Sequence, residues 1–242
     1  MSAPTVLAQS EPVIPDFGGG GSCVRENRTF CWNWFQDNWS DTFQPALIDH
    51  IVLTLIAVGI GFAISLTAAL IAHRHGWFEG PFTVVSGILY TIPSLALFQI
   101  LVPITGLTVT TAEIALVSYT LLILFRNILT GLRGVPEDVR EAARGMGLTP
   151  RQILLRVELP IALPAIIAGL RVAVVTVISL ATVAALIIDQ GLGKPIFDSL
   201  NAPFNTAFIA AGALAVALAL VADGLLVLAQ RIASPWAAAR AR

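Results

Sequence analysis

The sequence is poor in charge. Only 12% of its 242 residues are Asp, Glu, Lys or Arg, whereas 56% are hydrophobic, and its mean hydropathy is +0.82. In a soluble domain about a quarter of the residues are charged. The net charge of -1 gives no overall basic field that would attract nucleic acid. This scarcity of charge excludes an ordinary soluble domain and indicates an integral membrane protein, whose first partner is the lipid bilayer.

Cysteine and recognisable catalytic motifs are equally scarce. The two cysteines, Cys23 and Cys31, lack the spacing of metal ligands and no histidine cluster accompanies them, so we expect no metal site. The sequence contains no Walker A glycine-lysine pattern, no nucleophile elbow and no zinc motif. We therefore expect neither catalysis nor a bound cofactor in this chain.

Five long apolar blocks follow one another along the chain. Each is close to the length of about 20 residues that a helix needs to cross a bilayer. The blocks are residues 48–72, 81–103, 108–125, 161–188 and 206–229. The pattern predicts an all-α integral membrane protein with about five transmembrane helices.

Composition changes on both sides of these blocks. Residues 1–29 are polar, with three prolines and a run of four glycines, and predict a flexible tail without a fold. Residues 30–43 are rich in aromatics, which is typical of a helix on the bilayer surface or of a lead-in packed on the first span. We therefore assign 1–46 to a flexible tail and aromatic interfacial segment, 47–232 to the membrane domain and 233–242 to a C-terminal tail.

Basic residues are distributed unevenly between the connections. The positive-inside rule predicts an external N-terminus and a cytoplasmic C-terminus, because ten arginines then face the cytoplasm and three basic residues lie outside. In that orientation Cys23 and Cys31 face an oxidising compartment, where they form either a disulfide or two free thiols. The inner set is Arg74, Arg126, Arg133, Arg140, Arg144, Arg151, Arg156, Arg231, Arg240 and Arg242, with Trp77 and Trp236 at the inner boundary, and the outer set is Arg25, Arg28 and Lys194.

One charged segment, residues 137–160, separates the third and fourth apolar blocks. Pro136 and the two acidic residues after it predict a helix start, and Gly147 can end that helix. Thr149, followed by a proline and then a glutamine at the third position, predicts an N-cap with a capping box. We expect a second short helix there, which Pro160 ends.

The spacing within this segment resembles the EAA loop of binding-protein-dependent ABC importer permeases. The pattern is Glu-Ala-Ala, three residues, Gly, nine residues, an aliphatic residue, one residue and Leu-Pro. It falls on Glu141, Ala142, Ala143, Gly147, Val157, Leu159 and Pro160, with Val157 in place of the usual isoleucine. The resemblance implies a cytoplasmic coupling helix that docks on a separate ABC ATPase, which would hold ATP and Mg²⁺. An ordinary amphipathic loop on the membrane surface is the alternative.

Further residues narrow the resemblance to the osmoprotectant subfamily. Residues 91–98, taken with 141–147 and 156–160, look like permeases that import glycine betaine, carnitine, choline and related compounds such as proline betaine. The likeness covers roughly residues 48–232 and implies a permease in the inner membrane that works with an extracytoplasmic substrate-binding protein. One chain carries one such loop, so a second permease copy or a paralogue is implied.

Three alternatives to this function remain. A permease of the same type for methionine or another amino acid keeps the class and changes the solute. An ion-coupled secondary transporter would require inverted repeats and midplane ionisable residues. An intramembrane enzyme would require paired catalytic residues at matching depths.

The second apolar block carries polar residues around Pro93. A proline leaves carbonyl groups of the preceding turn without partners, which a membrane tolerates only beside protein or water. Tyr90 and Ser94 lie one turn apart with Thr91 beside them, so this face is the candidate translocation path. A kink packed against neighbouring helices is the alternative.

Ionisable residues inside the spans are candidates for function. Arg171 and Asp223 both lie about 12 to 17 Å from the cytoplasmic ends of their helices. We predict that they pair near the inner mouth, the alternative being that each is hydrated separately. Glu113 lies near the outer start of the third span, where a helix N-terminus favours a carboxylate. The outer connection 189–205 is either a docking region for the binding protein or a solvated loop.

Overall fold

The computed structural model describes residues 21–235, and all regular structure in that range is helical. Short turns of other helical types lie at Trp39–Phe43 and Leu154–Glu158, which are π-helical, and at Gly76–Phe78, which is 3₁₀. The α-helices are α1 (Ser22–Arg25), α2 (Trp32–Asp37), α3 (Gln44–Arg74), α4 (Glu79–Thr91), α5 (Ser94–Thr105), α6 (Val109–Arg133), α7 (Glu137–Gly145), α8 (Pro150–Ile153), α9 (Leu159–Ala184), α10 (Gly193–Asn201) and α11 (Asn205–Ala233).

Five segments account for the membrane domain. Four continuous helical stretches are long and apolar enough to cross a bilayer, namely Trp39–Arg74, Val109–Arg133, Pro150–Ala184 and Asn205–Ala233. The fifth is the pair α4 and α5, which meet at an angle of 100°. The prediction of an all-α membrane protein with about five spans is therefore confirmed, and the second span is broken.

Helix α6 lies at the centre of the bundle and packs against α3 and α9. Small residues allow this close approach: a Cβ added at Gly61 of α3 would lie 1.8 Å from Thr120 Oγ1, and one at Gly169 of α9 would lie 2.5 Å from Asn127 Cβ. Large side chains fill the remaining space, and Phe125 of α6 is fully buried. The interior of one chain is thus closely packed.

The bundle has two unlike ends. We call the end that carries residues 134–158 the loop end, and the opposite end, which carries residues 22–43 and 185–204, the cap end. Helix α3 begins at the cap end and α11 ends at the loop end, so residues 21 and 235 lie at opposite ends of the bundle.

The expectation of no fold before residue 30 is wrong for residues 22–29. Helix α1 buries Val24, and Cys23 and Cys31 form a disulfide. The Asn27 side chain donates a hydrogen bond to Pro203 O at 3.0 Å. This short polar segment is held by the disulfide, one of the two states expected for its cysteines, and by contacts with a distant loop that its composition does not indicate. Residues 1–20 lie outside the described residues, as do Trp236, Arg240 and Arg242.

The aromatic segment packs on the last span. Trp34 and Phe43 are buried, and the Trp34 ring lies 4.6 Å, centroid to centroid, from Phe204 just before α11. Trp32, which leads the aromatic pattern, is 59% exposed. The segment is thus a packed lead-in that contacts the start of the last span.

The prediction that Pro160 ends the second short helix is wrong. The chain stays helical from Pro150 to Ala184, a stretch of 35 residues. Pro160 falls in the first turn of α9, directly after the π-helical turn Leu154–Glu158. A proline is tolerated where a widened turn has already interrupted the regular hydrogen-bond ladder. Pro160 therefore marks a change of helix type and not a helix end.

Candidate functional site

The turn between α7 and α8 has the geometry that the sequence predicts. Gly147 has φ of +81°, a left-handed conformation that favours glycine. Its N–H donates to Arg144 O at 2.9 Å and the N–H of Leu148 donates to Ala143 O at 3.2 Å, which together close helix α7. Thr149 and Gln152 form the predicted capping box at the start of α8. The loop is therefore a rigid helix-turn-helix.

Helix α7 leaves most of its small and apolar side chains exposed. Ala143 is buried, but Val139 is 37% exposed and Ala142 is also exposed, and Met146, directly after the helix, is 71% exposed. The Glu141 side chain is exposed, and its carboxylate makes no hydrogen bond or ion pair with any residue between 21 and 235. The outer side of α7 thus offers small side chains, a flexible methionine and an unpaired carboxylate to another surface.

Beneath α7 lies a buried ionic network centred on Glu158, which is 6% exposed. Arg140 of α7 donates from Nε to Glu158 Oε1 at 2.8 Å, and His73 Nε2 of α3 lies 3.1 Å from Glu158 Oε2. Arg140 also donates from Nη2 to Leu132 O near the end of α6 at 2.8 Å. One carboxylate and one guanidinium therefore join α7 to α3, to α6 and to the turn before α9.

Glu137, at the start of α7, adds an exposed part to this network. It accepts hydrogen bonds from Arg140 at 3.1 Å and from Arg144 at 2.9 Å. The hydrogen bond from Arg140 and then that from Arg144 hold the pKa of the Glu137 carboxyl below its usual value. The first turn of α7 is thereby tied to its last turn.

Leu159 and Pro160, the last residues of the EAA-like pattern, begin α9. Leu159 packs against the buried cluster that contains Phe125 and Ile128 of α6. The loop pattern therefore runs without interruption into a membrane helix that contacts the centre of the bundle.

The broken span brings its polar residues to the surface of the chain. Tyr90, Thr91 and Pro93 are exposed and Ser94 is half-buried. The break frees carbonyl groups, as Pro93 predicts, and one of them, Ile92 O, accepts a hydrogen bond from the Tyr119 hydroxyl of α6. The sequence did not indicate a role for Tyr119, because its partner Ile92 lies 27 positions away. Two tyrosines thus meet at the break, with ring centroids 6.1 Å apart.

The break lies near the middle of the bilayer. Tyr119 follows the first residue of α6, Val109, by ten positions, which at about 1.5 Å per residue is about 15 Å along a helix that spans the membrane. A break with exposed polar groups at this depth requires water or protein beside it.

Arg171 of α9 and Asp223 of α11 form a bidentate ion pair. Arg171 Nε donates to Asp223 Oδ1 at 2.7 Å and Nη2 donates to Oδ2 at 2.9 Å. The structure thus brings together the two side chains that were expected to pair. Each remains 35% exposed. Glu113, by contrast, has both carboxylate oxygens buried without a hydrogen-bond partner in the described part of the chain.

A buried histidine at the cap end was also missed. His50 of α3 is fully buried; its Nε2 lies 3.0 Å from Ile178 O and its Nδ1 accepts from Leu192 N–H at 3.2 Å. Both ring nitrogens are engaged, which fixes a neutral ring with its proton on Nε2. A lone histidine at the start of an apolar block gives no signal in the sequence for these two distant partners.

The comparisons with known proteins agree on the family. The family of binding-protein-dependent transport system inner membrane components matches residues 46–233. The choline transport system permease protein OpuBB of Bacillus subtilis (strain 168) is 36% identical over 188 residues, which are 77% of this chain and 86% of that protein. The glycine betaine/carnitine/choline transport system permease protein OpuCB of the same organism is 35% identical over 190 residues, again 77% and 86%.

Among solved structures, the inward-facing MetNI methionine ABC transporter has a similar fold, with a TM-score of 0.66 and 20% identity. The match covers 76% of this chain and 93% of that one, and at this identity it shows the fold alone. The sequence relatives, in contrast, align over more than three quarters of the chain at a third or more identity. The chain therefore belongs to the family of binding-protein-dependent transport system inner membrane components.

Proposed function

We propose that this chain is the permease subunit of an ATP-driven importer of osmoprotectants such as choline, carnitine, glycine betaine or proline betaine. The observation that carries the proposal is the 35 to 36% identity to permeases named for three of these solutes, over most of both chains. The methionine transporter is similar in fold at 20% identity, which gives no support for a methionine solute. Membership of the family also argues against the two other alternative functions, an ion-coupled secondary transporter and an intramembrane enzyme.

The proposed coupling surface is the outer side of α7, which would dock on a cytoplasmic ABC ATPase. The ATPase would hold ATP and Mg²⁺ and supply the motion. Glu141 gives the loop an unpaired carboxylate, Ala142 allows close approach of another surface, and Gly147 fixes the turn. Movement of α7 would pass through Arg140 and Glu158 to the membrane helices, because these two side chains contact three of them or their ends.

The proposed orientation places the loop end in the cytoplasm and the cap end outside. It is supported by the excess of arginines at the loop end and by the disulfide at the cap end, which suits an oxidising compartment. An extracytoplasmic binding protein would then dock at the cap end, near α10. A second permease copy or paralogue would provide the second coupling loop.

Uptake in cells that lack their own importers tests the proposal. The chain is expressed with its cognate ATPase and binding protein, and the uptake of radiolabelled glycine betaine, carnitine, choline and methionine is measured. We expect uptake of the quaternary amines and none of methionine. Uptake of methionine alone would keep the family and overturn the osmoprotectant assignment.

The coupling surface is tested in the same cells with Glu141→Lys. We expect this variant to reach the membrane at normal abundance, to lose uptake and to retain less ATPase on purification. Asp138→Lys makes the same charge reversal one turn earlier on α7 and should have the smaller effect. Normal uptake by Glu141→Lys would remove Glu141 from the coupling surface.

A further inference from the structure

The Arg171–Asp223 pair lies at a depth where lipid provides no water. Gly169, two residues before Arg171, contacts Asn127, which is six residues before Arg133 at the loop end of α6. At about 1.5 Å per residue the pair is therefore about 12 Å from that end, well within a hydrocarbon core of about 30 Å. A charged pair at this depth that is one-third exposed is costly if its open side faces lipid.

Around the central helix α6, the described part of one chain leaves no route for a solute. Leu116, Phe125 and Ile128 of the central helix α6 are fully buried, and the helices around it pack closely at glycines. A path must then run along the outside of one chain, where a second copy can enclose it. The exposed part of the Arg171–Asp223 pair lies on such an outside surface, between α9 and α11. Water in a path between two copies would satisfy charges that lipid cannot.

An apolar cavity of about 260 Å³ adjoins the pair on its cap side. Val174 and Ile178 of α9, Leu218 and Ala222 of α11 and residues of α3 around Val58 line it. Val174 follows Arg171 by three residues and Ala222 directly precedes Asp223. The volume is below the 300 to 1,000 Å³ typical of drug-sized ligands, so it suits a compact solute. Arg171 and Asp223 do not themselves line the cavity, whose walls are almost entirely apolar; the charged pair lies next to its loop-side end along α9 and α11.

We propose that this pair and cavity are a transit site for zwitterionic osmoprotectants, an inference that rests on the proposed function. The pair opens, Arg171 receives the carboxylate of the solute and Asp223 faces its quaternary ammonium group. The guanidinium fork matches a carboxylate with two parallel hydrogen bonds, as it already does with Asp223. The ammonium methyl groups have no N–H to donate, so they need only a negative charge and apolar walls.

The exchange of partners keeps the charges balanced. Before binding, each charge of the pair has the other as its partner; after binding, each has the opposite charge of the solute. A zwitterion therefore enters without leaving an unpaired charge at membrane depth. A simple cation such as choline can satisfy Asp223 but leaves Arg171 without a carboxylate. The site consequently favours glycine betaine and carnitine over choline.

The test is the ratio of glycine betaine to choline uptake in proteoliposomes that contain the permease, its ATPase and one binding protein that delivers both solutes. The same binding protein serves all variants, so its own preference cancels. We expect Arg171→Gln to lower this ratio by about tenfold or more, because the carboxylate loses its hydrogen-bonding partner. Arg171→Lys keeps the charge but loses the fork and should fall between Arg171→Gln and the natural protein.

A matched control is Arg133→Gln, which removes another interhelical ion pair, that of Arg133 with Glu79, at the surface of the loop end. It should leave the ratio unchanged. If Arg171→Gln, or Arg171→Lys should the former not reach the membrane, lowers both uptakes in parallel, the pair only fastens α9 to α11 and the inference is overturned. If the natural protein imports neither solute, the proposed function itself fails.

Discussion

The two ends of the molecule are held together by different means. At the loop end a buried carboxylate, a guanidinium and a histidine join α3, α6, α7 and the turn before α9. At the cap end a disulfide closes a loop within the short N-terminal segment, and a cluster of aromatic rings fastens that segment to the start of α11. The loop end thus depends on directional contacts that can be broken and remade, whereas the cap end depends on a covalent bond and apolar packing. Contacts that can be broken and remade suit the loop end as a transmitter of motion, whereas a covalent bond and apolar packing suit the cap end as an anchor.

The largest difference in stability between the two ends is expected when the buried carboxylate of Glu158 at the loop end is removed. Glu158→Ala leaves Arg140 partly buried without its main partner, so we expect the free energy of unfolding to fall by about 3 to 5 kcal/mol. Thermal unfolding of the detergent-solubilised chain measures it. The control is Glu79→Ala, whose partner Arg133 is 45% exposed, and which should cost less than about 1 kcal/mol. Equal losses in the two variants would contradict a special role for the buried network.

The cap end should respond to reduction and the loop end should not. Replacing Cys23 and Cys31 by serine frees a loop of the chain, and we expect the cap to lose about 2 to 3 kcal/mol against local unfolding. Hydrogen exchange of residues 22–43 measures this loss, with α7 as the internal reference. A reductant should reproduce the effect in the natural protein and add nothing to the serine variant. Faster exchange in α7 would mean that the two ends are not independent.

A smaller effect is expected at the loop beside His50. Gly191 has φ of +78°, and a Cβ there would lie 3.3 Å from His50 Nδ1. Gly191→Ala should therefore cost about 1 to 2 kcal/mol through the strained backbone. Gly212→Ala in α11 is the matched control, since its Cβ would meet nothing within 4 Å, and it should be neutral or slightly stabilising. Thermal unfolding of both variants decides; similar destabilisation would argue against strain at Gly191.

The smallest effect is on the pH dependence of stability. The pKa of Glu137 is lowered by hydrogen bonds from Arg140 and Arg144, so its contribution is present above pH 4.5 and is lost as pH falls through the lower folded pKa. At the cap end a hydrogen bond with Asp189 raises the pKa of Lys194, so that contribution is lost as pH rises above 10.5. Glu137→Gln should flatten only the acid side of the unfolding profile. A change on the alkaline side would contradict the separation of the two ends.

Sequence patterns predicted the parts of the fold that depend on near neighbours. The spans follow from block length, the end of α7 from Gly147 and the start of α8 from Thr149 and its glutamine partner. The pairing of Arg171 with Asp223 followed from equal depth, because two helices that cross the same layer place residues at matching heights. These inferences need only local geometry and the thickness of the membrane.

Other contacts join residues that no local pattern connects. His73 meets Glu158 across 85 positions, and the Asn205 backbone N–H donates to the Asn27 side chain across 178. Such contacts are fixed by the packing of the whole bundle, which periodicity does not reveal. The prediction that Pro160 ends a helix was wrong for a related reason. The rule that proline ends a helix assumes that a regular α-helix precedes the proline, and here a π-helical turn precedes it.

Helix α11 has a mechanical character that its contacts define. Its first residues are fastened at the cap end by Phe204 and Asn27, yet only 6% of its most apolar stretch is buried against the rest of the chain. Helix α11 is thus held firmly at its cap end and has few buried residues along the rest of its length. Rotation of α11 about this fastened end would displace its loop end most, and it would have to open the Arg171–Asp223 pair that joins α11 to α9.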